Sequence, residues 1–273
     1  RAGARRQRMV SGYVAEKTGA KMGDYNNAAF LAFDAARAWV KANAAKSPAV
    51  GVADFGFSIF NAATTQECNL AEITRYVRGA NPTWSSAEVK ASIAADIATL
   101  DSGDGPFPLG KERAYAAGVL VERFSQFYDE SEVCVPAMAK AFAEMASAGS
   151  GAAAAATALA AATSDSHRMT VEELHNTVEV TEWLPWQAMK HDECLCASAF
   201  GAGFGGSCWA LVQKEKASSF LAEIEAEYKE YCQLRFMARH TETHPRNHEF
   251  LVCQQKFSVF QMAPGPGAFR VEL

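Results

Sequence analysis

Four glycines fall within the six-residue run Gly201-Ala202-Gly203-Phe204-Gly205-Gly206. Residues without a Cβ take up positive φ angles and let another atom come close to the backbone, so a loop of this kind can line a phosphate or a sugar. Strand-like SCWALV follows the run, which is not the strand-to-helix order of a dinucleotide fingerprint. A tight β turn packed under another segment is the structural alternative. Ser166 and His167 are a hydroxyl next to a base, but no third group is identifiable and neighbours on a helix diverge. His167 is therefore read as a hydrogen-bonding residue and kept as a candidate contact, and no catalytic residue is assigned. His191, Cys194 and Cys196 suggest soft metal ligation, yet their spacing fits no common zinc pattern and a fourth ligand is missing, so no metal is expected. His240, His244 and His248 recur every four residues, but Pro245 interrupts any helix that would align them, which leaves a solvated polar loop.

The elements that must position these groups change character along the chain. Residues 26–46 place Phe30, Leu31, Phe33, Ala36, Trp39 and Val40 at helical spacing. Pro48 and Gly51 break that helix. Residues 69–78 and 85–100 read as two more helices, the second opening on a capping box of Ser85 and Glu88, and 101–106 is a turn cluster. Residues 111–128 carry Ala114, Ala117, Val121, Phe124 and Tyr128 on one face, and 135–148 repeat the pattern with Met138, Phe142 and Met145, which suggests a helical hairpin. The alanine-rich stretch 149–163 favours helix, and helix continues over 171–189 until Pro185 perturbs it. From Leu195 short apolar runs take over. Residues 195–200, 207–212, 250–253 and 257–262 read as strands, and 214–232 as an amphipathic helix with Phe220, Leu221, Ile224, Tyr228 and Tyr231 inward. The expected class is α+β, a helical first part followed by a small antiparallel sheet with helices. Boundaries are expected at a lead-in over 1–24, a mostly helical part over 25–194 and an α+β part over 195–273.

The 273 residues carry a net charge of −5, with 49% hydrophobic and 21% charged residues, which fits a folded globular protein and excludes wholesale disorder. The acidic balance offers no footprint for a phosphate backbone, so nucleic acid is not an expected ligand. No stretch reaches the roughly 20 apolar residues of a membrane span. Seven cysteines at irregular spacing point to a reducing, intracellular compartment rather than a disulfide scaffold. Arg1, Arg5, Arg6 and Arg8, with no acid among the first fourteen residues, form a basic lead-in. It reads as a solvated terminus or as the tail of an organellar transit region, so the location is cytoplasmic or mitochondrial.

The glycine loop resembles the third conserved motif of the GHMP kinase superfamily, and its neighbours resemble galactokinases. Asp165-Ser166-His167 looks like that family's Glu-Ser-His segment, and Glu172, Glu173, Leu174, Val178, Glu182 and Leu184 fall at its acidic and apolar positions. Tyr25-Asn26 matches its Tyr-Asn at the start of a long helix, Val119-Leu120 with Glu122 its apolar pair and acid, and Pro264, Gly265, Gly267 and Ala268 its closing segment. The resemblance implies a GHMP-kinase-like carboxy-terminal domain. It makes Gly201, Gly203, Phe204, Gly205, Gly206, Tyr25, Asn26 and His167 candidate contacts for a substrate or a phosphate loop.

Departures accompany the matches. Ser198, Ala199 and Phe200 stand where the family has Arg-Met-Thr, Ala28 and Ala29 where arginines follow Tyr-Asn, and Glu179 where it has a proline, which removes donors for a polar substrate. The family's sugar signature, its Ser-rich nucleotide loop and its reacting Arg and Asp precede the Tyr-Asn point, and only 24 residues precede it here. Gly149-Ser150-Gly151 imitates the nucleotide loop on the wrong side of Tyr25. The resemblance therefore implies a sugar kinase portion that is inactive alone. ATP, magnesium and a small sugar are expected only with an amino-terminal kinase half as partner, and otherwise no cofactor. The alternative is a kinase-derived scaffold or interaction subunit in a larger, mitochondrial assembly with other protein subunits. Trp183, Trp186 and Trp209 read as core or interface aromatics.

Overall fold

The arginine-rich opening folds as a strand. In the computed structural model, which describes residues 4–15, 22–46, 70–99, 107–108, 114–147, 152–201, 203–239 and 247–262, Ala4–Val10 forms β1. Met9 and Gln7 are buried while Arg6 and Arg8 point outward. The period-two alternation of a half-buried strand is thus present, with arginines as its outer residues. This corrects the reading of the lead-in as a solvated terminus. Arg8 is held over the Phe260 ring, 5.8 Å from its centroid, and donates from Nε and Nη2 to Ser207 Oγ at 3.2 and 3.1 Å.

The chain divides into two units, each noncontiguous in sequence: residues 1–19, 141–167 and 176–273, and residues 20–140 with 168–175. The second unit is built on α1 (Met22–Lys46), α2 (Leu70–Ala80), α3 (Ser86–Ala98) and α4 (Ala117–Tyr128), with the short strands β2 (Phe107–Pro108) and β3 (Ala114–Tyr115). Its core joins Trp39, Ile73, Val89, Ile93, Leu120, Phe124 and Tyr128. α3 starts at the expected box: Glu88 N–H donates to Ser85 Oγ at 3.3 Å, and Ser85 N–H to Glu88 Oε2 at 2.7 Å. The helix expected from residue 111 begins at Ala117, because Ala114 and Tyr115 pair with Phe107 and Pro108.

No hairpin separates α4 from α5 (Val135–Ala146). A π-helical turn over Asp129–Cys134 joins them. Pro136 has no N–H for a regular i→i−4 bond and its ring crowds the preceding turn, and the wider π turn just ahead of it accommodates both defects. Of the α5 face expected inside, Phe142 is exposed, and Ala141 is the buried residue. The alanine-rich helix is α6 (Ala152–Glu172), which runs on past residue 163, whereas the helix expected over 171–189 is interrupted before α7. His175 at φ 50° lies in the break before α7 (Glu179–Ala188).

Pro185 does not end α7 but sits within it. Its missing N–H frees the Thr181 carbonyl, and Cys208 Sγ donates to that oxygen at 3.7 Å, so the buried acceptor is not orphaned.

In the first unit the sheet has the order β4-β5-β1-β6, all antiparallel, formed by β4 (Cys194–Ala199), β5 (Ser207–Gln213), β1 and β6 (Ser258–Met262). β1 pairs Met9 with Cys208 on one side and with Val259 on the other. α8 (Ala217–Arg239) buries Phe220, Ile224, Tyr228 and Cys232 against this sheet unit, one residue per turn and a little more. Residues 250–253, expected as a strand, lie in α9 (Asn247–Lys256). Phe250 and Cys253 stand three apart, share a helix face and are both buried. The observed class is α+β, as expected. No helix among the described residues is long and apolar enough to cross a membrane.

Tyr228 ties the unit together. Its ring lies 4.3 Å from Phe257 and 5.9 Å from Trp183, and its hydroxyl donates to the Ser11 carbonyl at 2.6 Å in a buried setting. Burial also pushes its ionisation far above the usual tyrosine range, so the hydroxyl stays a donor. Tyr228→Phe removes that donor and is expected to cost about 1–3 kcal/mol of unfolding free energy, read from the urea midpoint.

Candidate functional site

The glycine run connects β4 to β5 as a hairpin loop. Gly201, Gly203, Gly205 and Gly206 have φ values of 64°, 82°, 118° and 85°, and Phe204 joins them at 54°. An L residue with a Cβ visits this region rarely. The strands meet where Phe200 N–H donates to the Ser207 carbonyl at 2.9 Å.

The loop closes on two other segments of the same unit. Gly206 N–H donates to the Tyr13 carbonyl at 2.9 Å, while the Gly206 carbonyl accepts from Ser11 N–H at 2.9 Å and Ser11 Oγ at 2.7 Å. Ser11 Oγ also accepts from Tyr13 N–H at 3.2 Å. Phe204 N–H donates to the Asn176 carbonyl. A Cβ on Gly203 would run into that carbonyl, and one on Gly205 would stand 2.6 Å from Cδ1 of Tyr13. Close approach of protein backbone and a tyrosine ring is thus what Gly203 and Gly205 permit. Of the loop amides, those of Phe204 and Gly206 are committed to protein carbonyls.

His167 lies on α6, fully buried. Its Nε2 stands 3.4 Å from the Glu182 carbonyl and its ring 5.1 Å from that of Trp186. As donor to a carbonyl, Nε2 carries the proton, and Nδ1 has no hydrogen-bond partner among the described residues. Burial, the main cause, holds the imidazole below its ordinary value and favours the neutral ring. Tyr25 and Asn26 belong to the first turns of α1, in the other unit, and their side chains lie outside the described part of the structure. Pro264, Gly265, Gly267 and Ala268 lie outside the described residues, as do His240 and His244.

Burial pushes the Cys194 and Cys196 thiols up to about 12 and about 11, and neither sulfur belongs to a three-ligand cluster among the described residues. A register shift lies between the two residues, and Cys194 Sγ donates to the Cys196 carbonyl at 3.6 Å. The imidazole of His191 is used differently. Its Nε2 stands 3.0 Å from Glu227 Oε2 and its Nδ1 3.5 Å from Glu223 Oε2.

Pattern reading missed Ser11, Tyr13 and Asn176, the partners of the loop. Ser11-Gly12 after a strand is a turn signal, with Gly12 at φ 78°, but nothing local ties it to a loop 195 residues away. In the helical unit Arg123 was missed too. It is half-buried and, among the described residues, donates to the Ala28 carbonyl at 3.2 Å and to Gln126 Oε1 at 2.5 Å, and desolvation lowers its basicity.

No family model matches the chain, and no curated protein matches it. Among solved structures it is similar to Lactococcus lactis galactokinase, crystallised with galactose, at 18% identity and a TM-score of 0.48. The match covers 84% of this chain and 42% of that enzyme, so the chain spans less than half of the enzyme's length. This degree of likeness assigns no residue and no activity.

Two expectations follow from the site. Gly203→Ala is expected to lower stability by more than about 2 kcal/mol, because strain at positive φ adds to a backbone clash, whereas Gly201→Ala costs only about 1–2 kcal/mol. Among the described residues nothing lies within 4 Å of a Cβ at Gly201, and thermal unfolding of the two variants makes the comparison. The second concerns His167, whose folded-state value lies below the ordinary 6.5. Its contribution is complete above that value and is lost as pH falls through the window beneath it, where the unfolded chain binds the extra proton. The melting temperature of the parent chain should fall more steeply between pH 7 and 5 than that of His167→Gln.

Proposed function

We propose that this chain is the carboxy-terminal portion of a galactokinase-like sugar kinase, contributing to ATP-dependent phosphorylation of galactose or a related sugar only in company with an amino-terminal portion. One observation carries the reading. The glycine run that resembles the third GHMP kinase motif is a hairpin loop with all four glycines at positive φ, the conformation for which such a motif needs glycine.

Phosphoryl transfer depends on positioning and on charge neutralisation by cations and backbone amides. The loop amides of Phe204 and Gly206 already donate to Asn176 and Tyr13 and do not fit a direct phosphate cradle. In this reading the loop acts as a rigid wall behind a nucleotide site, and ATP and magnesium are held mainly by the other portion.

The second reading is a kinase-derived scaffold within a larger assembly. It is favoured by the same committed amides and by Ser198, Ala199 and Phe200, which remove the guanidinium and hydroxyl of Arg-Met-Thr. The purified chain given ATP, magnesium and galactose is expected to form no galactose 1-phosphate. Coexpressed with the amino-terminal portion, it is expected to bind nucleotide and sugar in calorimetry. Absence of both bindings in that coexpressed protein counts against the kinase reading, and a monomer free of partners after gentle purification counts against the scaffold.

A further inference from the structure

His191 sits in the turn between α7 and β4, and that turn is fixed on both sides. Cys194 N–H donates to the His191 carbonyl at 2.9 Å, and Gln213 N–H to the Glu193 carbonyl at 3.0 Å. The imidazole is 9% exposed and packs edge-on against Phe220 at 5.4 Å. Facing it from α8 are Glu223 and Glu227, which one helical turn places on the same face.

The hydrogen bonds assign the two ring nitrogens different work. Glu227 Oε2 accepts from Gln187 Nε2 at 3.0 Å and stands 3.0 Å from His191 Nε2. Nε2 therefore carries the proton and donates to Glu227. In the neutral ring Nδ1 is then an acceptor, and it points at Glu223 Oε2, another acceptor, 3.5 Å away. Two facing lone pairs repel, so either a second ring proton or a metal cation belongs between Nδ1 and Glu223 Oε2. One ligand atom each from His191, Glu193 and Glu223 lies within 4.8 Å of the others. Ligand atoms of a tetrahedral site with bonds of ~2.1 Å stand roughly 3.4 Å apart, so the His191–Glu223 pair, at 3.5 Å, is close to that separation, and the Glu193 carboxylate lies within 4.8 Å of both. A metal-bound imidazole whose second nitrogen donates to a carboxylate is the usual arrangement for histidine ligands.

We propose that His191, Glu193 and Glu223 form a binding site for a single borderline divalent cation such as zinc, with Glu227 and Gln187 orienting the imidazole. The ligands are one nitrogen and two carboxylates, and Cys194 and Cys196 take no part. The site goes beyond the kinase reading and stands or falls separately from it, since no ligand of it belongs to the glycine loop.

Zinc chloride titrated calorimetrically into the chelator-washed 273-residue chain tests the site. Saturable uptake of one ion is expected, lost in His191→Ala and weakened about 10- to 100-fold in Glu227→Gln. Glu223→Gln, at a solvent-exposed side chain, is expected to weaken uptake as well, and Cys194→Ser to leave it unchanged. Nitrogen NMR should show zinc at Nδ1 with Nε2 still protonated. Uptake equal in His191→Ala and the parent chain, no saturable uptake, or a His191 protonated on both nitrogens under saturating zinc overturns the proposal.

Discussion

The insertion of β1 between β5 and β6 is the constraint on which the sheet unit depends. Residues 4–10 must find partners at 207–213 and 258–262, contacts that span nearly the whole chain. Closing loops of such length costs entropy before any contact repays it. The return comes from several bonds at one place. Ser11 donates twice to Gly206, Gly206 donates to Tyr13, and Tyr228 donates to Ser11. The glycine loop is thus the clamp that receives the end of β1.

That clamp explains why glycine is needed where it stands. Gly203 and Gly205 admit the Asn176 carbonyl and the Tyr13 ring. A Cβ at Gly201 would meet nothing among the described residues, so there glycine answers to the positive φ of the turn. α7 is drawn into the same construction, since Asn176 lies just ahead of it and Cys208 of β5 satisfies the carbonyl that Pro185 leaves free. His191 follows at the far end of α7. Its imidazole is placed by the same packing, edge-on to Phe220 and beside the Glu223 and Glu227 carboxylates, all three from α8. A sheet, a clamp and a carboxylate-flanked imidazole therefore share one support.

The long helices were legible because burial repeats every three or four residues. Trp39, Phe124 and Phe220 are core residues where spacing places them, and the Ser85–Glu88 box sits in a four-residue window. Short apolar runs were less legible. Phe250 and Cys253 suit a strand or one face of a helix equally, and their packing in the α8 and α9 layer made them helix. β1 was hidden because Arg6 and Arg8 stand on its outer face and Arg5 and Gln7 share the inner face with Met9, so no apolar alternation marked it.

The amino-acid order alone determined the helical periodicity, the α+β class and the glycine run, because each is a property of neighbouring residues. Only the tertiary structure decided that the loop clamps residues 11–13 and 176, that His167 is buried against Trp186, and that His191 faces Glu223 and Glu227. Those facts join segments distant in sequence. Hydrogen-bond reach and burial are set by the whole unit, and no local spacing encodes them.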